Sequence, residues 1–114
     1  MEKRKSAIFI IIIMLIILAI ALISYLKNNN SIDEETAKCI ASKSRLYVSK
    51  TCSHCEQQKE ILGNYSSYFK IIDCIDNNEE CRINNIIGIP TWIINGKKDI
   101  GVKSLKELKS LADC

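Results

Sequence analysis

The sequence predicts a small α/β domain, a mixed four-stranded sheet flanked by helices, behind one N-terminal transmembrane helix. The first observation is an apolar run over residues 7–26, which has the length and composition of a membrane span. The second is the alternation, after this run, of short β-branched and aromatic segments with helical patterns. The third is a Cys-x-x-Cys pair, Cys52 and Cys55, placed where the first such segment gives way to a helix.

The apolar run predicts a single-pass membrane anchor. Residues 7–26 contain no charge and no proline, and at about 1.5 Å per residue such a helix reaches roughly 30 Å, the thickness of the hydrocarbon core. Basic residues cluster before the run, whereas Lys27 alone follows it directly. The positive-inside rule therefore predicts a cytoplasmic N-terminus over residues 1–6 and an extracytoplasmic C-terminal domain at the cell membrane. The alternative is a cleaved signal peptide with Ala19-Ile20-Ala21 as its cleavage pattern, which would also export the domain.

After the anchor we expect a polar tether over residues 27–35 and a folded domain over residues 36–114. From Asp33 onward the basic and acidic residues are equal in number, so the net charge of +3 resides in the N-terminal segment. A neutral domain without a basic stripe argues against nucleic acid as a partner. All six cysteines lie in this exported part, where disulfides can form.

The order of elements in the domain predicts a β-α-β unit followed by a ββα unit. The predicted elements are a helix over residues 33–41, a strand over 45–49, a helix over 53–65, a strand over 68–74, a helix over 77–87, strands over 91–94 and 98–102, and a helix over 105–112. Asn95-Gly96 is typical of a hairpin turn between the last two strands. Ser104 is the predicted N-cap of the last helix.

Cys52 and Cys55 are the predicted catalytic pair of a thiol–disulfide exchange reaction. The thiolate is the attacking species, and a helix N-terminus with nearby cations lowers the pKa of Cys52, while Cys55 acts as the resolving thiol. His54 lies between the two cysteines, and we expect it to stabilise the Cys52 thiolate. Two alternatives stay open for the pair taken alone, an inert structural disulfide and half of a zinc site.

The only proline, Pro90, stands in the segment Gly88-Ile89-Pro90-Thr91-Trp92. We predict that the Ile89–Pro90 bond is cis, which exposes the backbone of Ile89 to a substrate strand if Pro90 faces the cysteines. Ile89 and Thr91 are therefore the predicted substrate-binding residues. The alternative is a trans proline that merely begins an edge strand.

The other four cysteines are predicted to form structural disulfides. Cys74 and Cys81 close a small loop, and the alternative is a second redox pair that relays electrons. Cys39 and Cys114 lie on the first and last helices of the domain, which can pack together in this topology, so we expect a disulfide between them. The alternative there is one or two free thiols that make intermolecular links.

Other chemistries have weaker support. The pair Cys74 and Cys81 lacks the spacing of a zinc site, although a Cys-x-x-Cys pair also binds copper(I). His54 is the only histidine, so it is the only available base for hydrolase chemistry. We expect no metal and no bound cofactor, because the cysteines are themselves the redox centre.

Four segments together resemble the thioredoxin-like domain associated with vitamin K epoxide reductase homologues. These are Cys52–Gly63, the Cys74 and Cys81 pair, Ile89–Gly96 and Gly101–Leu108. The resemblance covers about residues 36–114. It implies a thioredoxin-like fold, in which the following residues have these roles: Cys52 nucleophile, Cys55 resolving cysteine, Pro90 cis proline, and Cys74 with Cys81 a structural disulfide.

The resemblance also implies a direction of electron flow. In many relatives the domain is fused to a quinone-reducing membrane enzyme, whereas here we expect a stand-alone form carried by a single anchor. Such a domain takes oxidising equivalents from its membrane partner and introduces disulfides into exported proteins. Three positions depart from common patterns: Ser53 replaces a frequent proline, Ile89 replaces a frequent tyrosine, and Leu46 stands where ordinary thioredoxins keep a buried acid.

The sequence therefore predicts a membrane-anchored, extracytoplasmic oxidant of cysteine-containing exported proteins, reoxidised by a vitamin K epoxide reductase-like membrane oxidase. Two other functions remain open. One is a reductase or isomerase that receives electrons from the cytoplasm. The other is a metal carrier that holds copper through Cys52 and Cys55.

Overall fold

The computed structural model describes residues 1–28 and 31–114, so Asn29 and Asn30 of the predicted tether lie outside the described residues. The chain divides into two compact units, Met1–Ser31 and Ile32–Cys114. The first unit is the single helix α1 (Glu2–Asn28). It is long and apolar enough to cross a membrane, a property that anchors and signal sequences share.

The second unit alternates helices and strands. Its elements are α2 (Glu34–Ser42), β1 (Ser44–Val48), α3 (Ser53–Leu62), a 3-10 helix (Gly63–Tyr68), β2 (Lys70–Asp73), α4 (Asn78–Ile83), β3 (Thr91–Ile94), β4 (Lys97–Ile100) and α5 (Leu105–Leu111). Ile32 already belongs to this unit, because its carbonyl accepts a hydrogen bond from the Tyr65 hydroxyl at 2.9 Å.

The four strands form one mixed sheet in the order β2-β1-β3-β4, which confirms the predicted architecture. β1 and β2 are parallel, with Val48 opposite Asp73. β3 is antiparallel to both β1 and β4, and Thr91 lies opposite Tyr47. The ends of β1 and β2 and the start of β3 therefore lie at the same edge of the sheet, which we call the upper edge.

The hydrophobic core lies on both faces of the sheet because the side chains of β1 alternate. Leu46 and Val48 join the main core cluster, whereas Tyr47 packs in a smaller cluster with Ile72 and Cys81. The full main cluster consists of Ile40, Leu46, Val48, Cys55, Leu62, Phe69, Trp92, Ile94, Leu108 and Ala112. At its centre the Phe69 and Trp92 rings meet edge to face, with centroids 5.7 Å apart.

The predicted helix over residues 53–65 ends earlier, at Leu62. Gly63 follows with φ of +53°, a left-handed conformation that interrupts an α-helix, and the chain continues as the 3-10 helix. The strand predicted from residue 68 consequently begins only at Lys70, and it ends at Asp73.

The predicted helix over residues 77–87 is also too long. It ends at Ile83, and Asn85 follows with φ of +51°, so the remaining residues form the loop before β3. Ile87 is accordingly 87% exposed instead of packing on a helix face. The first and last strands differ less from their predicted bounds: the first is Ser44–Val48 and the last is Lys97–Ile100.

Candidate active site

Cys52 stands directly at the N-terminus of α3. Its backbone is extended, with φ of −99° and ψ of 111°, and its Sγ accepts a hydrogen bond from the Cys55 backbone N–H at 3.1 Å. The sulfur thus takes the place that a serine or aspartate oxygen occupies in an ordinary N-cap. An N–H donor and the positive end of the helix dipole both stabilise negative charge on this sulfur when the disulfide is opened.

Cys52 and Cys55 form a disulfide in this structure, with Cα atoms 5.2 Å apart. The two sulfur-bearing residues differ in exposure. Cys55 is fully buried and belongs to the main core cluster, whereas Cys52 is half-buried at its margin. An incoming thiolate can therefore reach Cys52, whereas the surrounding core shields Cys55 from attack.

The segment that carries Pro90 lies at the same edge of the sheet. β1 ends four residues before Cys52, and β3 begins directly after Pro90. Because Tyr47 pairs with Thr91, both connections leave the sheet at the upper edge. Cys52 and Ile89 each pack against the main core cluster, and the Ile89–Pro90 peptide bond is cis.

The main-chain polar groups of Ile89 are free to bind a further chain. Among the described residues, neither its N–H nor its C=O has a hydrogen-bond partner. The carbonyl of Pro90, by contrast, accepts from the Gly101 N–H at 2.8 Å. Ile89 is thus the position at this edge where a further extended chain can add main-chain hydrogen bonds.

Thr91 is placed differently from the other predicted substrate-binding residue. Its side chain is fully buried, and its hydroxyl donates to the Gly88 carbonyl. The hydroxyl therefore closes the loop before β3, and the side chain does not face solvent.

His54 lies in the first turn of α3 with an exposed side chain. The nearest cation before Cys52 in the chain is Lys50, whose Nζ lies 2.6 Å from Asp76 Oδ2. The hydrogen bond to Asp76 raises the pKa of Lys50 and keeps it protonated. Because Lys50 is paired with Asp76, the groups that stabilise a thiolate at Cys52 are the Cys55 N–H and the N-terminus of α3.

The other four cysteines also form two disulfides. Cys74 and Cys81 have Cα atoms 5.7 Å apart, and Cys74 donates its N–H to the Val48 carbonyl at 2.9 Å, so this pair lies at the upper edge. Cys39 on α2 and Cys114 at the end of the chain have Cα atoms 6.1 Å apart. This disulfide links two chain positions separated by 75 residues.

A cavity of about 400 Å³ adjoins Ile89. Its other lining residues are Cys74, Asn78, Cys81, Arg82, Ile86, Ile87 and Gly88.

No cluster of three or more histidine, cysteine, aspartate or glutamate side chains suited to a metal ion occurs in residues 1–28 and 31–114.

One buried residue near the cysteines, Gln58, was not singled out by the sequence analysis. Gln58 is fully buried. Its Oε1 accepts hydrogen bonds from the Trp92 indole N–H at 3.0 Å and from the Lys103 N–H at 2.6 Å, and its Nε2 donates to the Lys103 carbonyl at 3.0 Å. The signal was the spacing of Cys55, Gln58 and Leu62, which places all three on one helix face.

No protein-family model matches the chain. Among solved structures, it is similar to the NTD_N/C domain of alkylhydroperoxide reductase AhpF from Enterococcus faecalis, with a TM-score of 0.51 and 19% identity over 70% of this chain and 44% of that chain. A mutant form of AhpF from the same organism gives a TM-score of 0.51 and 19% identity over 70% of this chain and 43% of that one. The oxidised thioredoxin from Plasmodium falciparum gives a TM-score of 0.46 and 20% identity over 72% of this chain and 90% of that one.

The chain spans less than half the length of the two alkylhydroperoxide reductase structures. At these identities the likeness is one of fold. Together with the mixed sheet and the helices that flank it, the likeness shows that residues 32–114 have a thioredoxin-like fold.

Proposed function

We propose that the chain is a membrane-anchored, extracytoplasmic thiol–disulfide oxidoreductase that introduces disulfides into exported proteins. One observation carries the proposal: the half-buried residue Cys52 caps α3 with its sulfur, which accepts the Cys55 N–H, while its disulfide partner Cys55 is fully buried. In this arrangement Cys52 reacts with substrate and is stabilised as a thiolate. Cys55 is shielded, acts as the leaving group when the disulfide opens, and can close the disulfide again.

The reaction begins with the closed Cys52–Cys55 disulfide. A substrate thiolate attacks Cys52 Sγ, the Cys52–Cys55 bond breaks, and Cys55 leaves as a thiolate that takes up a proton. A second substrate thiolate then attacks the substrate sulfur of the mixed disulfide, and Cys52 leaves. The substrate has lost two electrons, which the reduced cysteine pair now holds, and two protons, of which Cys55 takes one and the solvent takes the other when Cys52 remains a thiolate.

The hydrogen bond at Cys52 favours this direction. A disulfide pair is a stronger oxidant when its reduced form is stabilised, and the Cys55 N–H together with the helix dipole stabilises the Cys52 thiolate. The residue six positions earlier, Leu46, is buried and apolar, so no carboxylate at that position assists the reverse reaction.

The substrate strand is expected to pair with Ile89. The free N–H and C=O of this residue offer two main-chain hydrogen bonds at the edge of the sheet where Cys52 also lies. Main-chain recognition of this kind depends little on the substrate's side chains, which suits an enzyme that acts on many exported proteins.

Reoxidation requires an acceptor for the two electrons. We propose a separate vitamin K epoxide reductase-like membrane oxidase, which passes the electrons to quinone. α1 supports this assignment because an anchor of its length and apolar character holds the domain at the membrane where such an enzyme lies. The distribution of basic residues around α1 favours a cytoplasmic N-terminus.

Transfer of a disulfide to a peptide tests the proposal. The full chain in detergent, oxidised beforehand, is mixed with a reduced peptide that contains two cysteines, and peptide oxidation is followed by mass spectrometry. We expect one peptide disulfide per oxidised chain, and none with Cys52→Ser. A chain that leaves the peptide reduced, or that transfers a disulfide equally well without Cys52, would contradict the proposal. Stoichiometric copper retained by the reduced chain would instead favour a metal carrier.

A further inference from the structure

The buried Gln58 network joins the helix of the reactive cysteines to the strand that follows Pro90. Gln58 lies three residues after Cys55 on α3, and its Oε1 accepts the indole N–H of Trp92, two residues after Pro90. Gln58 and the Trp92 ring are both fully buried. The hydrogen bond is therefore shielded from solvent, where the low local dielectric strengthens it.

A second route joins the same two elements through the loop between β4 and α5. Gln58 binds the backbone of Lys103 twice, accepting its N–H and donating to its carbonyl. Two residues earlier in this loop, Gly101 donates its N–H to the Pro90 carbonyl at 2.8 Å. Gly101 has φ of +107°, a conformation that favours glycine and lets the loop turn between these two contacts.

The chemistry of the contacts requires an amide at this position. Gln58 Oε1 must accept two hydrogen bonds while Nε2 donates to a carbonyl. A leucine of similar size leaves the buried Trp92 indole N–H and the part-buried N–H and carbonyl of Lys103 without this partner. A glutamate loses the donor and places a charge in the core. The amide therefore does more than fill space.

We propose that Gln58 is a positioning residue, which fixes the Cys52–Cys55 helix relative to the Ile89–Pro90 segment. The inference rests on the proposed function, because it concerns how a peptide bound at Ile89 meets the Cys52 sulfur. In exchange reactions the attacking thiolate must line up with the disulfide, and a displacement of about 1 Å between binding site and reacting atoms can cost up to about 100-fold in rate. A small thiol that makes no contact with Ile89 does not depend on this alignment.

The test compares two thiol substrates on the full chain in detergent. Gln58→Leu removes the network, and Gln57→Leu is the matched control, because Gln57 is the exposed neighbour on the same helix. Acid quenching, alkylation and mass spectrometry measure the second-order rate of reduction of the Cys52–Cys55 disulfide by a dithiol peptide and by dithiothreitol, a small dithiol without peptide groups. Rates are scaled to the folded fraction determined by circular dichroism.

We expect Gln58→Leu to slow the peptide reaction about tenfold or more and to change the dithiothreitol reaction less than about threefold, whereas Gln57→Leu changes neither. Trp92→Phe removes the direct hydrogen bond and leaves the two bonds between Gln58 and Lys103 in place, and we expect it to slow the peptide reaction in the same selective way, by a smaller factor. This variant answers the question if Gln58→Leu does not fold.

Three results separate the two proposals. A Gln58→Leu chain that reacts with the peptide as fast as the unmodified chain would overturn the positioning role. Equal slowing with peptide and dithiothreitol would also overturn it, because the damage would then lie at the cysteines themselves. An unmodified chain that exchanges with neither thiol would overturn the proposed function, and this control is measured before any variant.

Discussion

At the scale of single residues, the two cysteines of the reactive pair have distinct environments. Cys52 Sγ accepts a backbone N–H and is half-buried, whereas Cys55 is fully buried among apolar side chains. An N–H donor and a helix N-terminus stabilise a thiolate, whereas burial among apolar side chains disfavours one and shields the sulfur from attack. Cys52 is therefore the sulfur that bonds to substrate.

A trapping experiment tests this division of roles. We expect Cys55→Ser to accumulate a mixed disulfide between Cys52 and a substrate peptide, because no resolving thiol remains. Cys52→Ser should accumulate none, since the remaining thiol of Cys55 is buried. Non-reducing electrophoresis and mass spectrometry measure the adducts, and equal adduct formation by the two variants would contradict the assignment.

A second residue-scale prediction concerns Tyr47. Among the buried side-chain polar atoms of the described residues, the Tyr47 hydroxyl is the one without a hydrogen-bond partner. Leaving a buried hydroxyl unpaired costs about 1–3 kcal/mol. We therefore expect Tyr47→Phe to leave the free energy of unfolding unchanged or to raise it by about 1 kcal/mol, as measured by chemical denaturation. A loss of more than about 1 kcal/mol would show that the hydroxyl has a partner after all.

At the scale of elements, capping carboxylates stabilise the first and last helices of the domain. Asp33 Oδ1 accepts the Thr36 N–H at 2.7 Å at the start of α2, and Glu107 Oε2 accepts the Ser104 N–H at 2.7 Å in the capping box of α5. Hydrogen bonding from Thr36 lowers the pKa of Asp33 below its ordinary value of 3.8. Hydrogen bonding from Ser104 lowers the pKa of Glu107 below 4.5.

These lowered pKa values predict the direction of an acid effect. A carboxylate whose pKa is lower in the folded state stabilises the fold above its unfolded pKa, and this stabilisation disappears as the pH falls through the folded pKa. We expect the domain to lose stability as the pH falls below 4.5 and then below 3.8. The double variant Asp33→Asn with Glu107→Gln should show a smaller acid loss in thermal denaturation. An identical loss in the parent chain and the double variant would refute a role for the two carboxylates.

Particular elements show what could be predicted from the sequence. The sheet, its hairpin and the fold class followed from alternating apolar segments and from turn residues such as Asn95 and Gly96, whose positive φ values the turn requires. The ends of the helices were harder to predict from the sequence. The interruption at Gly63 and the early end of α4 depend on residues with positive φ, which glycine and asparagine tolerate but do not demand.

The residues of the candidate site differ in how readily the sequence predicts them. Cys52, Cys55 and Pro90 stand in short local patterns, and the register of β1 with β3 places these patterns at one edge. Gln58 was not recognised, because glutamine in a polar helical run is usually exposed. Its burial depends on Trp92 and on the backbone of Lys103, which are distant in sequence and meet it only in the folded chain.

At the scale of the whole molecule, the Cys39–Cys114 disulfide ties the first helix of the domain to its last residue. In the chain-entropy account, a disulfide stabilises more when it closes a longer loop. The separation here is 75 residues, against 7 for Cys74–Cys81. Of these two pairs, the first is therefore expected to stabilise the domain more.

Paired serine substitutions test this expectation. We expect Cys39→Ser with Cys114→Ser to lower the free energy of unfolding by about 2–5 kcal/mol, and Cys74→Ser with Cys81→Ser to lower it by less. Both variants should retain exchange through Cys52 wherever they remain folded. Chemical denaturation of the full chain in detergent measures the loss, and a larger loss from the Cys74 and Cys81 pair would contradict the account.

The most direct test of the central claim is the redox equilibrium of Cys52 and Cys55 against a glutathione series, measured on the full chain in detergent. Stabilisation of the Cys52 thiolate by the Cys55 N–H and the helix dipole predicts a reduction potential well above about −200 mV, that of a disulfide donor. A potential at or below about −250 mV would contradict the oxidant role and favour a reductase. Failure of the two cysteines to form a disulfide at all would refute exchange chemistry at this site.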